Sequence, residues 1–90
     1  MKEAIRAIVS GKVQGVWFRK YTKDKADQLG IKGYVQNRPD GTVLVRAEGP
    51  LEEMKIFKQW LHVGSPASQV EQVRIEQVEP EGFASFEIIK

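Results

Sequence analysis

Apolar residues along this chain follow two spacings, and each change of spacing marks the end of an element. Ala4 to Val9 is dense in Ala, Ile and Val, which predicts a strand running into a loop from Ser10. Arg19 to Leu29 reads as a helix, with Gly30 as its C′ residue. Ile31 to Asn37 reads as a second strand. Arg38-Pro39-Asp40-Gly41 then supplies turn chemistry before Val43, Val45 and Ala47 alternate on a third, which makes a hairpin. Leu51, Met54, Phe57 and Leu61 fall at helical spacing within Leu51 to Val63, with Pro50 near the start and Gly64-Ser65-Pro66 as the stop. Val73 and Ile75 alternate with polar neighbours, and Phe83 to Ile89 forms a last apolar segment after Pro80-Glu81-Gly82, so one or two further strands are expected.

The order strand, helix, strand, strand, helix, strand predicts an α+β fold, the ferredoxin-like βαββαβ sandwich. Its two helices pack on one face of a four- to five-stranded, mostly antiparallel sheet. Such a scaffold carries enzymes, RNA binders, metal carriers and regulatory domains, so activity has to be read from a site. Ninety residues without a repeat or low-complexity stretch predict one domain, 1–90, with a sufficient but not generous core. No apolar run approaches the roughly 18 residues needed to cross a bilayer, and MKEAIRAIVSG is too polar and too short for a signal peptide. A cytoplasmic location without membrane contact is expected.

Composition narrows the chemistry. Without cysteine there is no disulfide, no thiolate nucleophile and no cysteine metal site. The single histidine, His62, lies near the end of the second predicted helix with no second imidazole, so a metal site is poorly supported. Ser–His catalysis would need His62 to meet Ser10, Ser65, Ser68 or Ser85 and an orienting acid, and nothing in the spacing suggests it. Glu52 and Glu53 fall in a first helical turn, where carboxylates favour the dipole. Net charge is +2, but residues 1–46 carry 10 Lys/Arg and 4 Asp/Glu whereas residues 47–90 carry 4 and 8. The basic half would suit an anionic ligand, although charge of this size is more simply a solvated surface.

The segment GKVQGVWFR, Gly11 to Arg19, makes the anion specific. Gly11 and Gly15 bracket a strand-to-helix connection, where unpaired N–H groups and the positive end of the macrodipole suit a phosphate. Arg19, Lys20 and Lys23 sit where the dipole prefers acids, an arrangement that an anion between the helix terminus and Arg19 would make favourable. No Walker loop and no GxGxxG fingerprint is present. Asn37, at the end of a predicted strand, reads on local grounds first as an ordinary turn residue and only second as a catalytic one.

GKVQGVWFRK together with GYVQNRPDGTV, Gly33 to Val43, resembles the acylphosphatase signature pair, and the likeness extends to EGP, Glu48 to Pro50, and GSPASQV, Gly64 to Val70. The resemblance implies metal- and cofactor-free hydrolysis of the carboxyl–phosphate bond of acyl phosphates, and a monomer is expected although the sequence itself does not give the oligomeric state. Inorganic phosphate would be both product and competitive inhibitor. It further implies that the amides of Gln14, Gly15, Val16, Trp17, Phe18 and Arg19 cradle the phosphoryl group, that the Arg19 guanidinium binds it, and that Asn37 holds the attacking water. Trp17 stands where many microbial members have Gly, Gln36 where a basic residue is common and Tyr34 where Trp is common. Two rivals differ in kind. An RNA-recognition module would need a run of aromatics on the strand from Val43 to Glu48, which has none, so no nucleic-acid partner is expected. A regulatory or partner-binding domain of a larger carbamoyl-handling protein is the other, and the length of 90 residues favours the stand-alone enzyme.

Overall fold

A computed structural model describes all residues, 1–90. Its elements are β1 (Lys2–Lys12), α1 (Phe18–Leu29), β2 (Lys32–Asn37), β3 (Val43–Pro50), α2 (Leu51–Val63), β4 (Gln69–Gln77) and β5 (Phe86–Ile89). The sheet order is β4-β1-β3-β2-β5, antiparallel except for the β2–β5 pair. Period-two alternation sends Ile5, Ala7 and Val9 of β1, Val35 of β2 and Val43, Val45 and Ala47 of β3 to one face. Phe18 and Ala26 of α1 and Met54, Phe57 and Leu61 of α2 bury that face. The helices end as their sequences dictate: Gly30 adopts φ 72° and its N–H reaches the carbonyls of the last turn of α1.

The other sheet face carries a device that the alternation of β3 did not reveal. Leading from β4 at one edge to β5 at the opposite edge, residues 78–85 cross the end of the open face. The Val78 N–H donates to the Ala4 carbonyl, and the N–H groups of Glu81, Gly82 and Phe83 donate to the Glu48 carboxylate at 2.8, 2.7 and 2.9 Å. Phe83 then packs edge-on against Tyr34 and under the Arg46 guanidinium, which pairs with Glu81 at 2.9 Å. Burial pushes the Glu48 carboxyl up, but the three donated N–H groups outweigh it and hold it below its ordinary 4.5. A carboxyl depressed on folding contributes stability above its unfolded pKa and loses it as pH falls through the lower folded value. Unfolding free energy should therefore decline as pH drops below about 4.5, and Glu48→Gln should flatten that decline in pH-dependent denaturant melts. Glu48→Ala, stranding three donors, should cost about 2–4 kcal/mol by the same measurement.

Candidate active site

Geometry at the end of β1 changes the part that its glycine plays. The strand continues through Ser10, Gly11 and Lys12, pairing with Gln69 and Val70 across a bulge between Ser10 and Gly11. Gly11 has φ 119°, and a Cβ there would lie 2.2 Å from the Gln69 carbonyl oxygen. It is a bulge glycine required by close approach to β4, not one end of the anion loop. That loop begins at Val13.

Within the loop, Val13, Val16 and Phe18 are buried, which pins it to the core at three points and turns Gly15 and Trp17 outward. Gly15 has φ 73° and Trp17 φ 64°, left-handed turns of the kind that gather successive amides into a concavity. For Trp17 this costs about 1–2 kcal/mol, since its Cβ crowds the following carbonyl. The N–H groups of residues 13–18 donate to no acceptor in the protein, and the first helical bond runs from the Tyr21 N–H to the Trp17 carbonyl at 3.0 Å. No side chain caps α1 and no acid lies in its first turn.

Two side chains outside the loop set its shape. The Ser65 hydroxyl, buried in the α2–β4 connection, donates to the Val16 carbonyl at 2.7 Å. The Ser68 hydroxyl and N–H donate in turn to the Ser65 carbonyl at 2.7 and 3.0 Å. A loop carbonyl is thereby held away from the concavity, leaving donors to face an anion.

Asn37 enters from the hairpin. It shares the helix-covered face with Val35 at the last position of β2, and its Oδ1 is buried with no hydrogen-bond partner. Ile88, opposite Val35 across the β2–β5 pair, lies one pleat away on the same face. The loop and the hairpin are joined by Gln14: its side-chain Nε2 donates to the carbonyls of Arg38 and Thr42, both at 2.8 Å. Those carbonyls belong to the turn immediately after Asn37, which is also closed by the Arg38 N–H to Thr42 at 2.8 Å. Thr42 fixes the turn further by donating to Asp40, and the hydroxyl bond is the main reason that the Asp40 carboxyl sits below its ordinary value.

The three cations do not act alike. Lys20 pairs with Asp24 at 3.2 Å, and Lys23 pairs with Asp27 at 3.0 Å while donating to the Phe86 carbonyl at 2.8 Å. The bond to Asp27 raises the Lys23 ammonium above its ordinary value. Arg19 forms no ion pair and no hydrogen bond with the protein, so the cation uncompensated against the dipole is Arg19 alone, not the trio read from the sequence. Arg19 and Lys20, with Gly15, Trp17, Phe18 and Ile88, border a hollow of about 420 Å³. A second hollow of about 370 Å³ on the open sheet face lies among Arg6, Arg38 and Arg74, but Glu76 pairs with Arg6 at 3.3 Å and Asp40 lies beside Arg38. Two of its three arginines are thereby offset by acids.

The loop, Arg19 and Asn37 lie at one end of the sheet, and what Gln14, Glu48 and Ser65 do with their side chains was not visible in the sequence. Their motifs were visible, but which distant backbone each would bond depends on the sheet order. The two substitutions at Tyr34 and Gln36 fall on the open face, away from Asn37, where Tyr34 packs on Phe83 and Gln36 pairs with Leu44.

A family model described as Acylphosphatase matches residues 5–88. The chain is 42% identical over 88 residues to an acylphosphatase of Nitrosococcus oceani, covering 98% of this chain and 99% of that one. Among solved structures, the acylphosphatase of Bacillus subtilis superposes with TM-score 0.95 at 37% identity over 100% of both chains. That of Coxiella burnetii superposes with TM-score 0.94 at 35% identity over 98% and 93%.

Proposed function

The chain belongs to the acylphosphatase family, hydrolases of acyl phosphates, and from that premise we propose how its residues carry the reaction. The amides of Gln14 to Arg19 and the Arg19 guanidinium hold the phosphoryl oxygens, and the Asn37 Oδ1 accepts a hydrogen bond from the attacking water. The water oxygen attacks phosphorus in line as the bond from phosphorus to the carboxylate oxygen breaks, and the proton passes to a phosphate oxygen. Products are a carboxylate and inorganic phosphate, the latter a competitive inhibitor. A carboxylate leaves as a weak base, so catalysis reduces to positioning and charge stabilisation, which these groups supply without a general base. The carrying observation is that the loop N–H groups, Arg19 and the Asn37 Oδ1, gathered at one end of the sheet, are all without partners in the protein.

Positive charge for the transition state comes from Arg19 and the helix terminus, so the reaction is metal-independent. The chain is a single catalytic domain, 1–90, a cytoplasmic monomer. Nucleic acid is not a partner: the outward positions of β3 are Leu44, Arg46 and Glu48, and the crossover roofs the last two. The test is hydrolysis of benzoyl phosphate with a chelator in excess. Turnover undiminished by chelator supports this account, and chelator-sensitive turnover contradicts it. A gel shift of single-stranded RNA at low salt would contradict the exclusion of nucleic acid.

Gln14 has a second part here, as the tie between the phosphate loop and the Asn37 turn. Gln14→Ala should lower kcat about tenfold or more, with a smaller change in the Ki of phosphate, because it loosens the two halves relative to each other. Steady-state kinetics on benzoyl phosphate, with phosphate as inhibitor, measures both.

A further inference from the structure

We propose that the hollow beside the phosphate loop is an acyl-group subsite, with the Trp17 indole as its platform and Ile88 as the facing wall. It gives the enzyme a preference for aromatic over small aliphatic acyl phosphates. This rests on the reading that the loop holds the phosphoryl group. An acyl phosphate gripped there carries its acyl carbon one bridging oxygen from phosphorus, so the acyl chain lies against whatever borders the loop. Its exposed apolar border is Trp17, 72% exposed, and Ile88, 37% exposed, beside the cations Arg19 and Lys20.

Trp17 is placed at a conformational cost and gains little packing for it. Its left-handed backbone favours glycine, and its ring is mostly in water, whereas its neighbours Val16 and Phe18 are buried. The second tryptophan, Trp60, behaves differently: it packs on the Phe18 ring at 5.8 Å and supports the core. An indole exposed next to bound phosphate offers an apolar face to a benzoyl or phenylacyl group, which gains an aromatic pair there. The methyl of an acetyl group covers only a small part of it. Ile88 continues the same surface toward Asn37, one pleat away. The acyl group therefore lies between Trp17 and Ile88, on the side of the phosphate opposite the buried loop residues.

The test compares kcat/KM for benzoyl phosphate with kcat/KM for acetyl phosphate in the natural chain, Trp17→Gly and Trp17→Phe. Taking the ratio cancels any change common to both substrates, and Gly suits the φ of 64°, so the variant should fold. The benzoyl-to-acetyl ratio is expected to fall about fivefold or more in Trp17→Gly, the size of one aromatic pair, and to be largely restored in Trp17→Phe. A ratio unchanged in Trp17→Gly, with both substrates still turned over, overturns the subsite. Failure of the natural chain to hydrolyse either substrate overturns instead the phosphate-loop reading beneath it.

Discussion

Asn37→Ala is expected to lower kcat for benzoyl phosphate by about 10²–10³-fold while the Ki of inorganic phosphate stays within a few-fold. In the proposed mechanism the carboxamide touches the nucleophile, not the phosphoryl oxygens, so its loss should fall on the chemical step and spare ground-state binding. The Asn37 Oδ1 is buried and accepts no bond from the protein, so removing it breaks no hydrogen bond of the fold. A similar thermal midpoint should accompany the lost rate. Steady-state kinetics with phosphate as inhibitor separates the two quantities, and an equal loss in both would place Asn37 on the phosphate instead of the water.

Arg19→Ala should be the more damaging change, lowering kcat/KM by about 10³-fold or more and raising the Ki of phosphate at least about tenfold. A guanidinium that grips the transferred group acts in both ground and transition states, and arginines stabilising phosphoryl transfer contribute on that scale. Arg19→Lys should recover only part of the loss, because an ammonium restores charge without the planar fork. Removing Arg19 also relieves a cation placed against the dipole, by about 0.3–1 kcal/mol, so the inactive variant should be no less stable than the natural chain. A parallel collapse of stability in denaturant melts would contradict the claim that this residue serves the ligand and not the fold.

The fold was legible because each helix and inner strand buries one face. Ile5, Ala7 and Val9 alternate as a strand must, and Met54, Phe57 and Leu61 recur as a helix must, so period alone assigned them. Strand β4 was harder: at the sheet edge its side chains are largely exposed, and only Val73 and Ile75 hint at an inner face. Phe83 read as part of the last strand but belongs to the crossover, drawn to Tyr34 and Arg46 on the opposite face. Its hydrophobicity was real, and the surface that it covers was not readable locally.

The site divides in the same way. Gly15, Arg19 and the helix start are local features, and their chemistry follows from backbone dipoles and charge. Gly11 looked like a loop glycine because sequence cannot show the Gln69 carbonyl that forbids a side chain there. Lys20 and Lys23 looked free although Asp24 and Asp27, four residues on, were in plain view as partners. Gln14, Ser65 and Glu48 bond backbone that is 24 or more residues distant, so no spacing rule reaches them.

Amide chemical shifts of the isotopically labelled chain, titrated with inorganic phosphate, test most directly whether the loop is the phosphate cradle. The largest changes should fall on the N–H groups of Gly15 to Arg19, saturating together, and Arg19→Ala should weaken them all. Changes centred instead on Arg6, Arg38 and Arg74, on the open sheet face, would contradict the account.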